Sequence, residues 1–126
     1  MSSAEILIEA GEGNSIHFGN HLAEAKQKKE GFEIGGDLYK VKTYKEITRL
    51  EKNGKLLYES VPGTTVKGLV VNSDHMSFEV EGSAEDAQIT VELEADQEYK
   101  VLINDVQLGK VKANLSGKIS FSVEFS

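Results

Sequence analysis

Three histidines, four tyrosines and 21 carboxylates carry most of the reactive chemistry available to this chain of 126 residues, which has no cysteine and no tryptophan. His17 and His21 stand four apart, a spacing that on a helix aims two imidazoles at one metal. Phe18-Gly19-Asn20 between them reads instead as a strand end and a turn, and the segment is not the His-Glu-x-x-His of a metalloprotease. Both are therefore expected as surface histidines. His75 follows Asp74 in turn-like sequence, with no nucleophile beside it that a base would serve.

The glycine motifs are also incomplete. Gly11-Glu12-Gly13 opens like a dinucleotide fingerprint, but Ile16 stands where the third glycine belongs. Gly63 and Gly68 have the spacing of a phosphate loop, yet Leu69-Val70 follows where lysine and a hydroxyl residue are needed, so a turn leading into a strand is expected. No Gly-x-Ser-x-Gly elbow occurs. Glu79 with Glu81, Glu92 with Glu94, and Asp96 with Glu98 invite a glycosidase or calcium reading, with Asp105 as a further calcium ligand. Period-two spacing nevertheless puts the members of a strand pair on one solvated face, the plainer account of them. No metal or other cofactor is expected, and no catalytic residue is assigned. Among the aromatics, Tyr99 has core parity, whereas Tyr44 and Tyr58 are the candidates for exposed platforms that stack on a sugar ring.

Charge narrows the partners. The formal net charge is -7, from 21 acidic and 14 basic residues, which repels a phosphate backbone. Lys26, Lys28 and Lys29 form the only basic cluster and have no interleaved aromatics for stacking bases. Nucleic acid is not an expected partner. No run of 18 apolar residues is present, and Glu5 stands where a secretory leader would carry a basic residue, so a cytoplasmic chain without a membrane partner is expected.

The elements that must position these residues are mostly strands. Downstream of Pro62, apolar side chains alternate at Met76, Phe78 and Val80, at Ile89, Val91 and Leu93, at Tyr99, Val101 and Ile103, and at Ile119, Phe121, Val123 and Phe125. Turn residues separate them at 72–74, 81–83, 95–96, 104–105 and 114–117. A recurrence every 10 to 12 residues or so is that of a sandwich or small barrel. Residues 107–113 form a further strand whose parity slips between Leu108 and Val111, predicting a bulge near Gly109. Upstream, shorter strands are expected at 5–9, 15–18, 37–43 and 55–61. For 43–54 a hairpin turning on Asn53-Gly54 competes with a helix capped by Thr43 and Glu46. Ile47 and Leu50 would share a helix face, which favours a short helix over 44–52. Residues 20–30 have helical composition but only Leu22 as a large apolar residue, so a helix there would lie loosely on the surface. The chain is thus expected to be one antiparallel β-sandwich domain, irregular over 1–61 and regular over 62–126, with one short helix.

The strings Gly36-Asp37-Leu38-Tyr39-Lys40-Val41-Lys42-Thr43, Glu46-Ile47-Thr48-Arg49-Leu50-Glu51-Lys52-Asn53-Gly54, Tyr58-Glu59-Ser60-Val61-Pro62-Gly63-Thr64, Glu85-Asp86-Ala87-Gln88-Ile89-Thr90 and Asn114-Leu115-Ser116-Gly117-Lys118 resemble a group of short bacterial proteins often labelled endosialidase. The label implies an accessory role of the kind phage tail proteins play, in assembly or sugar contact. Sialic-acid hydrolysis itself is not expected. A propeller needs several blades of about 40 residues each, and the three-arginine clamp of sialidases has no counterpart, because Arg49 is the only arginine. Residues 99–125 also resemble the last strands of immunoglobulin-like modules of carbohydrate-active enzymes, which implies an immunoglobulin-like arrangement from Thr64 onward. The expected function is a non-catalytic binding or assembly protein acting through a sheet face or edge, with a protein partner or self-association. Carbohydrate binding through Tyr44 and Tyr58 is the alternative.

Overall fold

The computed structural model describes residues 7–13, 15–104 and 106–125. Twelve strands follow one another: β1 (Ile8–Ala10), β2 (Ile16–Phe18), β3 (Gln27–Ile34), β4 (Asp37–Tyr44), β5 (Ile47–Lys52), β6 (Lys55–Val61), β7 (Thr65–Val71), β8 (His75–Glu81), β9 (Asp86–Glu92), β10 (Glu98–Ile103), β11 (Val106–Lys112) and β12 (Lys118–Glu124). They form two six-stranded sheets, one in the order β1-β2-β7-β8-β10-β11 and the other β12-β9-β6-β5-β4-β3. Every pairing is antiparallel except that of β10 with β8. Among the described residues there is no helix, and so none long and apolar enough to cross a membrane.

Alternation explains why these segments are strands and where the core lies. Met76, Phe78, Val80, Ile89, Val91, Tyr99, Val101, Ile103 and Ile119 are buried from the downstream strands. Val41 and Leu50, cross-strand partners, are buried from the upstream ones. Their intervening neighbours face water on the outer surfaces, as a two-layer fold requires. The bulge expected near Gly109 is present: Val101 pairs with Gly109 and Leu102 with Gln107, leaving Leu108 as the extra residue. Gly109 takes φ 88°, the left-handed region that such a bulge uses and glycine enters without strain. The strand expected at 5–9 falls partly outside the described residues, its described part ending in β1.

The short helix expected over 44–52 is not there. β4, β5 and β6 form two successive hairpins in its place. Asn53 and Gly54 have φ 52° and 82°, so both sit in the left-handed region that a two-residue primed turn demands. Thr43 does not cap; its hydroxyl bonds Thr48 Oγ1 across the hairpin at 2.8 Å. Leu50 points into the core while Ile47, paired with Tyr44, lies on the other face. β-branched residues at 41, 43, 47 and 48 suit a pleated strand better than a helix. Residues 27–34, which overlap the end of the 20–30 segment of helical composition, are the edge strand β3, which pairs with β4 through a bulge between Lys29 and Phe32.

A polar seam crosses the apolar interior. Thr43, Thr48, Ser60 and Thr64 are fully buried, and every buried side-chain oxygen or nitrogen among the described residues has a hydrogen-bond partner. Thr48 Oγ1 donates to the Thr64 carbonyl at 2.8 Å and accepts from the Thr64 amide at 2.9 Å. Thr43 Oγ1 accepts from the Asn20 amide at 2.9 Å, which leaves its proton for Thr48. Tyr58 Oη and Ser60 Oγ meet Thr64 Oγ1 at 2.8 and 2.7 Å. The seam fixes the crossing from β6 to β7, one of the points where the chain passes between sheets.

Candidate functional site

The chemistry-bearing residues of the sequence are dispersed by this fold. His17 Nδ1 accepts the Gly68 amide at 2.9 Å, across from β2 to β7. His21 Nδ1 lies 2.6 Å from Thr65 Oγ1, and its own amide donates to the same oxygen at 3.1 Å. Both imidazoles thus brace β7 at separate positions, and no group of three His, Asp or Glu among the described residues is placed to hold a metal ion. His75 closes its turn, with Nδ1 at 3.1 Å from Asp74 Oδ1 and Nε2 at 2.7 Å from Asn72 Nδ2.

Burial lowers the pKa of His21, partly opposed by the charge of Glu81. The folded chain therefore binds fewer protons than the unfolded chain below the ordinary histidine value of 6.5. Stability held above that value is lost as pH falls through it toward the folded value. We expect the urea midpoint to drop between about pH 7 and 5, and His21→Gln to flatten that drop. Equal slopes in the two proteins would show that carboxylates alone set the pH dependence.

The carboxylates and lysines are solvated. Glu81 pairs with Lys67 at 3.4 Å across β8 and β7, and Glu79 is exposed beside it. Glu94, Asp96 and Glu98 are exposed around the turn into β10, while Glu92 is half-buried. Asp105 lies outside the described residues. Arg49 is held by Glu59 at 2.9 Å and Glu51 at 3.3 Å on the outer face of β5 and β6. In the lysine cluster, Lys28 pairs with Glu30 at 3.0 Å, a bond that keeps the Glu30 carboxyl below its ordinary range, and Lys26 Nζ lies 5.9 Å from the Tyr44 ring centroid.

The two tyrosines singled out for stacking part company. Tyr58 has no exposed surface. It packs edge-on against Phe18 at 5.1 Å and Phe78 at 5.7 Å, its hydroxyl is tied into the polar seam, and burial raises its pKa strongly. The expectation that it faces solvent therefore fails. A bulge between Leu50 and Glu51 in the β5–β6 pairing sets Tyr58 opposite Leu50 on the inner face. Tyr44 stays half-buried on the outer face with Lys26 over its ring.

One end of the sandwich opens into a cleft of about 970 Å³ between the sheets, floored by Ile16, Leu57, Leu69 and Leu93 and rimmed by Asp37 and Lys52. The rim carries an ion pair at 3.7 Å. Tyr39 also lines it, with its pKa raised by burial and by Asp37, and the Tyr99 hydroxyl accepts the Glu94 amide at 3.1 Å.

The sheet edges are the remaining surface with unused bonding capacity, and they differ. A row of unpaired N–H and C=O groups is a template for another strand, and folds usually disable it with bulges, lysines or short strands. Among the described residues β1 has three residues. β3 is bulged and carries Lys28 and Lys29, and β11 is bulged and carries Lys110 and Lys112. β12 has no bulge and carries a lysine only at its first residue, Lys118. It pairs with β9 in unbroken register over seven residues, from Lys118 opposite Glu92 to Glu124 opposite Asp86.

The direction of its free groups follows from the flanking bonds. The Leu93 amide donates to the Gly117 carbonyl at 2.7 Å, and the Phe125 amide to the Glu85 carbonyl at 2.8 Å. Odd-numbered residues of β12 therefore turn their backbone groups toward β9, and even-numbered ones turn theirs outward. Lys118 agrees with this, since its amide reaches Asn114 Oδ1 at 3.0 Å and its carbonyl accepts the Asn114 amide at 3.1 Å. Ser120, Ser122 and Glu124 are left with outward groups that no other strand pairs. None of these three was picked out from the sequence, although KISFSVE shows both the strand and its lack of lysine or proline in the middle. Comparison of the chain with protein-family models, with curated proteins and with solved structures finds no match.

Proposed function

We propose that this chain is a non-catalytic assembly protein that binds a protein partner by adding a strand to the free edge of β12. The observation that supports this most directly is the contrast among edges: three are short or are bulged and carry two lysines, whereas the longest unbroken one has a single lysine at its first residue. The scattering of histidines and carboxylates into structural bonds and solvated faces favours the same reading over an enzyme. It also agrees with the resemblance to short bacterial proteins labelled endosialidase, through the accessory role in assembly that the label implies. The immunoglobulin-like kinship from Thr64 onward belongs to this reading too, drawing on the placement of β9 and β12 in one sheet and β8, β10 and β11 in the other. Carbohydrate binding draws on Tyr44 alone once Tyr58 is in the core, and ranks second.

Amide hydrogen exchange tests the open edge. In dilute protein, where assemblies dissociate, the amides of Ser120, Ser122 and Glu124 should exchange at least about tenfold faster than those of Ile119, Phe121 and Val123, which donate to β9. Uniform slow exchange along the strand at dilution would mean that the edge is covered within one chain, and the reading would be lost.

A further inference from the structure

The sequence of β12, Lys118-Ile-Ser-Phe-Ser-Val-Glu124, is symmetric in chemical type about Phe121. Reversed, it matches itself: lysine falls opposite glutamate, isoleucine opposite valine, serine opposite serine and phenylalanine opposite phenylalanine. That property matters only at a free edge, which is where this strand lies. Resting on the edge reading above, we propose that the partner of β12 is β12 of a second copy, paired antiparallel about a two-fold axis through Phe121.

While the outward groups of Lys118 are already bonded to Asn114, the backbone at the centre of the strand is open to this register. In it Ser120 of each chain stands opposite Ser122 of the other, and these even-numbered residues hold the outward N–H and C=O groups, so each of the two Ser120–Ser122 pairs exchanges two hydrogen bonds. Phe121, whose backbone groups are spent on β9, falls at a position that needs no bond across the axis. Side chains agree with backbone. Phe121 and Val123 are only partly buried in one chain and gain cover from their counterparts.

Charge selects the register. Within one chain Glu124 is set opposite Asp86, a like-charged pair, and neither Glu124 nor Lys118 forms an ion pair among the described residues. In the two-fold pairing each Glu124 meets the Lys118 of the other chain, which relieves the repulsion at both ends. The interface is the same patch on both chains and uses up the edge, so assembly closes at a dimer.

Sedimentation across a concentration series should show a reversible dimer. Glu124→Lys should weaken it about tenfold or more by placing lysine against lysine, and the double exchange K118E/E124K should return affinity to within about threefold. The chain has no cysteine, so cross-linking reports register cleanly. Under mild oxidation a mixture of Ser120→Cys and Ser122→Cys chains should form a mixed disulfide dimer. Neither chain alone should cross-link, because like positions lie diagonally about 7–8 Å apart. Phe121→Cys, on the axis, should cross-link to itself. Self-cross-linking of Ser122→Cys, or a dimer indifferent to Glu124→Lys, would overturn the register and leave an edge-bound partner standing. A strict monomer at all concentrations, with fast exchange at the even amides, would overturn the second copy and leave the edge open to another protein. A strict monomer with slow exchange there would overturn both.

Discussion

Replacing Thr48 with valine is expected to destabilise the fold by about 3 kcal/mol although the two side chains have the same shape. The Thr48 hydroxyl is saturated: it donates to the Thr64 carbonyl and accepts from the Thr64 amide and from Thr43. All three residues are fully buried, so no water replaces what a methyl group removes. The Thr64 amide and carbonyl lose their Thr48 partner, each at a cost of about 1–3 kcal/mol before the structure relaxes, and the Thr43 hydroxyl, which still accepts the Asn20 amide, loses the acceptor for its proton. A domain of this size should lose about 10 °C in Tm. Tyr58→Phe is the internal comparison. Its hydroxyl is one of two side chains meeting Thr64 Oγ1, and Ser60 keeps that oxygen bonded, so its cost should stay near 1 kcal/mol. Urea unfolding of the two variants measures the difference. Equal effects would mean that the seam tolerates loss at either end and that Thr48 is not its centre.

The same comparison shows which parts of the molecule the residues announce by themselves. Alternation after Pro62 is legible because each downstream strand buries one face, and inward positions such as Phe78, Ile89 and Val101 carry large apolar groups. The 43–54 segment misleads because a capping pattern at Thr43 and Glu46 and a hairpin turn at Asn53-Gly54 are both local signals. Cross-strand bonding of Thr43 to Thr48 decides between them, and that is a tertiary fact. β3 is hidden for another reason. As an edge strand with a solvated run at 28–31, it shows almost no apolar alternation.

Tyr58 looked exposable because the Leu57 bulge that turns it inward leaves no mark in composition. Thr48, Ser60 and Thr64 resemble surface residues until β5, β6 and the crossing to β7 bring them together. The candidate edge is an intermediate case. The mirror pattern around Phe121 is visible in the residues, but it acquires meaning only when the sheet order leaves β12 with one neighbour.

Gly63→Ala should be at least as damaging, and for a backbone reason. A Cβ built at Gly63 collides with the Tyr44 carbonyl oxygen and lies 3.0 Å from its carbon. The Gly63 amide also donates to the Lys45 carbonyl at 3.0 Å, so the crossing from β6 to β7 is drawn tightly against the β4–β5 turn. Neither side yields easily. Tyr44 and Lys45 are the end of β4 and the start of its turn, and Thr64 beside Gly63 is locked into the hydroxyl seam. Separating the two backbones by the needed distance breaks the Gly63 bond and strains the Thr48–Thr64 pair. A loss of about 3 kcal/mol or more is expected, as for overpacking that no rotamer change relieves. Gly82→Ala supplies the contrast. Its added carbon would meet the outer edge of the Phe125 ring at 2.8 Å, a half-buried side chain that can swing aside. That variant should lose about 1 kcal/mol and unfold with the same cooperativity. If thermal unfolding ranks the two the other way round, the crossing is looser than its contacts imply, and the end of β12 under Phe125 is the tighter part of the fold.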